Sequence, residues 1–139
     1  MFLVRLVYTS KLSDAFSSDD ITDILASARK HNSRNHVTGL LCFSSNYFLQ
    51  CIEGSRSAIN RTYHRILNDP RHEDIVMLDY KEINRREFSH WHMGYVPYTA
   101  LTRDVNMLFS GSPEFNPYEM SGESAHQLML ALKDTVDMV

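Results

Sequence analysis

The run His36-Val37-Thr38-Gly39-Leu40-Leu41-Cys42-Phe43, then Ser44-Ser45-Asn46, then Tyr47-Phe48-Leu49-Gln50-Cys51-Ile52-Glu53, decides the fold. Two β-rich runs joined by turn-forming residues read as a hairpin. Gly39 sits inside the first run, where glycine weakens packing and often marks a close approach of backbone or ligand. In the second run a period of two places Phe48, Gln50 and Ile52 on one face and Cys51 on the other. Gln50 is therefore an amide between two large apolar side chains.

On the N-terminal side, Phe2 to Tyr8 reads as a strand, with Phe2, Val4, Leu6 and Tyr8 on one face and Leu3, Arg5 and Val7 on the other. A helix follows from about Asp19 to Asn32. Ser17 or Ser18 can cap it, and Asp19 and Asp20 suit its positive end. Ile21, Ile24, Leu25 and Ala28 form its apolar stripe, and Asn32 falls on the continuation of that stripe.

On the C-terminal side, a second helix runs from about Ser57 to Asp69, striped by Ile59, Tyr63, Ile66 and Leu67 and ended by Pro70. Arg65 and Asp69, at i and i+4, can pair or share a ligand. A strand from Ile75 to Ile83, a turn with Arg85-Arg86, and a last strand from Trp91 to Val96 ending at Pro97 follow. The order βαββαββ predicts an α+β, ferredoxin-like fold: a mixed five-stranded sheet with two helices on one face. Thr102 to Val139 reads as two helices around a loop broken by Gly111, Pro113 and Pro117. Ala125, Leu128, Met129, Leu132 and Val136 stripe the last helix, which is the candidate cover for the second face of the sheet. The expected division is residues 1–98 as one domain and 99–139 as a helical extension packed on the sheet.

The 139 residues suit a domain with its own core, without disulfides or a structural metal. A net charge of −3 and no long basic run disfavour non-specific nucleic-acid binding. No apolar run approaches the ~20 residues of a membrane span, and the N-terminus does not read as a signal peptide, so no membrane partner and a cytoplasmic location are expected. Cys42 and Cys51, both within apolar runs, read as reduced, packed thiols.

Three polar side chains aim at one helix–sheet layer: Tyr8, Asn32 and Gln50. Taken singly, Tyr8 is equally a packed ring with its hydroxyl at the sheet edge, and Gln50 an amide satisfied by backbone. Together they suggest a planar polar ligand. His90 and His92 flank Trp91 on one face of the expected strand and read as a solvated pair; two ligands make a poor metal site. There is no G-x-S-x-G; Gly122-Glu123-Ser124-Ala125-His126 lacks the second glycine. Walker and G-x-G-x-x-G motifs are also absent. Met77, Met93, Met107, Met120, Met129 and Met138 read mostly as core filler.

Six stretches carry a family resemblance: Arg5-Leu6-Val7-Tyr8-Thr9-Ser10, His31-Asn32, Val37-Thr38-Gly39-Leu40-Leu41, Phe48-Leu49-Gln50-Cys51-Ile52-Glu53-Gly54, Asp69-Pro70-Arg71-His72, and Phe88-Ser89-His90-Trp91-His92-Met93. With their spacing, the chain resembles the BLUF domains, sensors of blue light that use flavin. The resemblance covers residues 2 to about 98 and is weaker through the tail. It implies a noncovalently bound flavin between the first two helices, FAD with FMN or riboflavin as alternatives. Tyr8 would be the electron and proton donor and Gln50 the amide that rearranges. Ser10 would lie near that pair, and Trp91 and Met93 would carry the change onward. Asn32 would hold the polar edge of the flavin with His31 beside it, Ile24 would pack on the ring, and Arg65 and Asp69 would lie near its ribityl and phosphate end. It further implies a short stand-alone photoreceptor, not an enzyme, that self-associates and signals to a separate protein. A non-photochemical ligand-binding or oligomeric module on the same fold, and a flavin enzyme, are the competing readings.

Overall fold

A computed structural model describes residues 2–14, 17, 20–44, 47–96 and 100–135. Ser18, Asp19, the Ser45-Asn46 turn, Pro97, Val136 and Met138 lie outside the described residues. In chain order the elements are β1 (Leu3–Leu12), α1 (Asp20–Asn35), β2 (Thr38–Ser44), β3 (Tyr47–Ser55), α2 (Arg56–Leu67), β4 (His72–Ile83), β5 (Gly94–Val96), α3 (Arg103–Phe109) and α4 (Gly122–Leu132), with single 3-10 turns at Pro117–Glu119 and Lys133–Thr135. The sheet order is β4-β1-β3-β2-β5. β1 pairs antiparallel with β3 and β4, β2 antiparallel with β3, and β2 parallel with β5. This is the mixed, ferredoxin-like α+β sheet that the element order predicts.

β1 continues past Tyr8 to Leu12 because its polar residues find partners inside the sheet. Thr9 Oγ1 donates to the Phe48 carbonyl (2.8 Å), and Ser10 Oγ lies 2.9 Å from His72 Nδ1. α1 outlasts Asn32 by nearly a turn and stops at a left-handed residue, His36 (φ 56°), while Val37 N–H donates back to the Asn32 carbonyl (2.9 Å). β2 therefore starts at Thr38 rather than His36. α2 starts at a cap on Ser55, whose hydroxyl accepts from Ala58 N–H. It ends at Leu67, so Asp69 lies off the helix. Ala58 and Thr62 join Ile59 in the core, whereas Leu67 is 45% exposed.

The strand expected over Trp91–Val96 is shorter. Only Gly94–Val96 pair with β2. Before them the register slips, with Gly39 N–H on β2 bonding Trp91 O (3.1 Å), while α1 takes the next two carbonyls: Asn32 Nδ2 bonds His92 O (2.6 Å) and Arg29 Nε bonds Met93 O (3.0 Å). His90 and His92 are consequently not on a strand face, and both are exposed. Met77 and Met107 are also surface residues rather than core filler; Met77 lies on the edge strand β4, which has a neighbour on one side only.

The sheet separates two apolar clusters. Val4, Leu6, Tyr8, Leu41, Phe48 and Ile52 pack toward α1 and α2 with Leu25, Ile59 and Met93. Val7, Leu40, Cys42, Leu49 and Cys51 pack on the other face with Phe88, Trp91 and the α4 residues Ala125, Leu128, Met129 and Leu132. Both cysteines are buried and free. α4 lies close on the sheet: a Cβ at Gly122 would stand 2.2 Å from the Leu78 carbonyl oxygen.

A buried carboxylate fixes the loop leading to Trp91. Glu53 on β3 accepts from Glu87 N–H (2.7 Å), Phe88 N–H (2.9 Å) and the Thr38 hydroxyl (3.2 Å). Burial pushes its pKa up, against the pull of these donors and of Arg86. Arg86 in turn donates to Thr38 Oγ1 and to the Glu53 and His36 carbonyls, closing the knot.

Candidate functional site

Tyr8 and Gln50 stand directly opposite one another in the β1–β3 register. Both side chains leave the sheet on the α1/α2 face. The Tyr8 hydroxyl donates to Gln50 Oε1, and Gln50 Nε2 donates to the Met93 sulfur (3.4 Å). The amide thus spans a strong donor and a weak thioether acceptor. Burial, reinforced by the Asp69 carboxylate and Tyr63, pushes the Tyr8 phenol pKa far up, so the ring stays protonated.

Beside this pair a cavity of about 600 Å³ opens between α1, α2 and the sheet. Tyr8, Leu41, Phe48 and Gln50 form its sheet wall; Ile24, Ser27, Ala28 and Asn32 come from α1, and Thr62, Arg65 and Ile66 from α2. Asn68, Asp69, Pro70, Arg71 and His72 close one end. Of the residues singled out from the sequence, Tyr8, Ile24, Asn32, Gln50, Arg65 and Asp69 come together here. Asn32 is 1% exposed. Its Nδ2 is committed to His92 O, while its Oδ1 is buried with no hydrogen-bond partner among the described residues. An acceptor left in that state costs on the order of 1–3 kcal/mol.

The others sit around the cavity rather than on it. His31 Nε2 lies 3.3 Å from Thr62 Oγ1, linking α1 to α2; burial and the Arg65, Arg61 and Arg34 charges lower its pKa. Ser10 reaches the cavity through His72. Met93 backs Gln50, and Trp91 lies across the sheet in the α4 cluster. Asp69 takes Arg71 as its ion partner (2.8 Å) rather than Arg65, because α2 ends before it. Burial raises the Asp69 pKa, but the Arg71 hydrogen bonds outweigh burial and hold the carboxyl below its ordinary value.

Sequence reasoning passed over Ser27, Thr62, Asn68, Arg71 and His72 as cavity residues. Arg71 and His72 were in view within Asp69-Pro70-Arg71-His72, but nothing local says that β4 begins there and turns the imidazole inward. His72 packs edge-on to Phe48 and Tyr8 at 5.4 and 6.3 Å between ring centres, and burial lowers its pKa. No cluster able to hold a metal ion occurs among the described residues.

This fold, with a cavity between two helices and a tyrosine–glutamine pair beneath it, defines an α+β domain with a candidate ligand site between its helices and its sheet. The chain belongs to the BLUF family, "Sensors of blue-light using FAD", whose profile matches residues 3–94. Among solved structures it is similar to BlsA in its photo-activated state (31% identity, TM-score 0.82, covering 94% of this chain and 94% of that one). It is likewise similar to the dark state of BlrB, a BLUF protein (34%, TM-score 0.76, covering 94% and 96%). The "Blue light- and temperature-regulated antirepressor BluF" of Escherichia coli (strain K12) is 34% identical over 60% of this chain, which spans 21% of that protein. The photoactivated adenylate cyclase subunit beta of Euglena gracilis is 31% identical over 64% of this chain, which spans 10% of it.

The residues present fit a flavin. The cavity volume lies in the range of small-ligand sites. Its walls are largely apolar, its polar groups lie at two ends, and the orphaned Asn32 oxygen is an acceptor suited to a ring N–H. Arg65 lines the other end, beside Asp69 and its partner Arg71.

Proposed function

We propose that this chain is a blue-light photoreceptor in which Tyr8 and Gln50 carry the photochemistry of a noncovalently bound flavin. The observation that supports it most is the bond from the Tyr8 hydroxyl to Gln50 Oε1 at the cavity wall. The flavin, when bound, supplies absorption of blue light and a strong one-electron oxidant. Tyr8 would be the electron donor, and its phenolic proton would leave along the bond to Gln50 Oε1. Gln50 can both donate and accept, so electron and proton would both return to Tyr8 while the amide stays rearranged. In that state its contact with Met93 is changed. Dark reversion needs no second reactant.

In this reading Asn32 anchors the polar edge of the flavin, with Ile24 against the ring and Arg65 and Asp69 toward the ribityl and phosphate end. His31 ties α1, the helix that carries Asn32, to Thr62 on α2, and Ser10 supports Tyr8 through His72. FAD is the flavin, as the family description has it. Residues 1–98 form the photosensory domain and 99–139 the extension. The change passes through Trp91 and Met93 to a separate signalling protein rather than to a catalytic function of this chain. We further place the protein in the cytoplasm as a homo-oligomer; no helix among the described residues is long and apolar enough to cross a membrane.

The test is a visible spectrum of the purified protein before and after a blue flash, followed in the dark. A small red shift that reverses spontaneously is expected. Colourless protein that takes up no added flavin, or bound flavin with no shift, overturns the reading.

A further inference from the structure

In a regular strand, residues i and i+2 share a face. Trp91 and Met93 do not. Met93 lies in the α1/α2 cluster with Tyr8, and Trp91 in the α4 cluster across the sheet. Tyr95 packs on the same side as Met93, so the strand period holds from Met93 onward and breaks before it. Carrying the Leu40↔Gly94 register one step back would set Gly39 opposite Met93 and aim its N–H at His92 O, yet Gly39 N–H bonds Trp91 O, one residue earlier, and Asn32 Nδ2 takes His92 O. The residue that takes the Met93 carbonyl is Arg29. It stands on α1 outside the cavity and donates from Nε at 3.0 Å.

We propose that Arg29 is a positioning residue for the light switch. Its bond to the Met93 carbonyl ties the start of β5 to α1, which holds the Met93 side chain against Gln50 and steadies the segment that leads back to Trp91 beneath α4. This rests on the photoreceptor reading above. A rearranged Gln50 amide that turns its oxygen toward Met93 meets a thioether with nothing to donate. With the Met93 segment pinned, that mismatch drives the amide back, and the pinning sets the lifetime of the lit state.

Arg29→Met and Arg29→Gln separate the bond from the bulk of the side chain. Gln places an amide N–H where Arg has Nε–H; Met places a methyl there. In the flavin-loaded full chain, Arg29→Met should slow dark recovery about five- to tenfold, the rate equivalent of losing about 1–1.4 kcal/mol. Arg29→Gln should recover near the wild-type rate. A second readout needs no light. Trp91 is the only tryptophan in the sequence. Its buried Nε1–H has no partner among the described residues, so its single indole N–H resonance reports burial directly. In the dark, exchange of that proton with solvent should accelerate in Arg29→Met and not in Arg29→Gln. Wild-type exchange and recovery in Arg29→Met overturn the proposal, and so does equal behaviour of the two variants. A wild type without any flash-induced shift counts against the photoreceptor reading instead, and the dark indole measurement still decides on Arg29.

Discussion

Gln50 acquires its meaning from one register pair. Opposite Tyr8 on β3, its amide receives the buried phenol on one side and offers Met93 an N–H on the other. Replacing it by leucine keeps the volume but leaves the Tyr8 hydroxyl without that acceptor, at a cost of about 1–3 kcal/mol. Gln50→Leu should retain flavin and lose the light-induced red shift; a normal shift in that variant removes Gln50 from the mechanism. Tyr8→Phe should likewise form no productive signalling state, read from the same flash spectra. Both residues were legible from the sequence as polarity on an apolar strand face. His72, whose ring packs edge-on to Tyr8 at 6.3 Å between ring centres, was not. Its contact with Ser10 joins β1 to the start of β4 across 62 positions, which no local pattern encodes.

At the scale of elements, close approach decides what local propensity leaves free. A Cβ on Gly39 would stand 2.1 Å from the Cys51 carbonyl oxygen, so β2 and β3 pair as they do only with glycine there. Gly39→Ala should destabilise the fold by about 1–3 kcal/mol in urea unfolding, since the obstacle is backbone and cannot rotate away. The glycine inside a strand pattern was a readable signal of this contact. The end of α1 was less readable, because the helix runs on to Asn35 before left-handed His36 stops it, which places Asn32 in its last turn. The shortness of β5 was not readable at all: Asn32 takes His92 O, the carbonyl that would have continued its ladder, and Gly39 on β2 bonds Trp91 O instead.

At the scale of the whole molecule, β1, β2 and β3 are buried on both faces while the edge strand β4 stays largely exposed, and α4 is as much a part of the core as α1 and α2. His126 on α4 is buried near Arg5, Asp79, Lys81 and Glu87, and its Nε2 has no partner among the described residues. Burial, with Arg5 adding, lowers its pKa below the ordinary 6.5, and His72 and His31 shift the same way. The folded state therefore binds fewer protons than the unfolded chain. The stability these groups contribute is fully present above about pH 6.5 and is lost as pH falls through that value toward their folded-state pKa. The thermal midpoint should drop between pH 7 and 5. His126→Leu should flatten part of that drop, while a slope equal to wild type would show that His126 does not contribute.

Periodicity and turn chemistry act over a few residues, so the sequence by itself determined the element order, the two faces of β1 and β3, the apolar stripe of α4 and the anomalous polarity of Tyr8, Asn32 and Gln50. The six motif stretches added the family. Only the tertiary structure decided that Trp91 and Met93 lie on opposite sides of the sheet, that Asp69 pairs with Arg71, and that His72 faces the cavity. Those outcomes depend on hydrogen bonds and close contacts whose partners are distant in the chain or lie beyond a helix end, and their competition is settled only once the sheet and helices are packed.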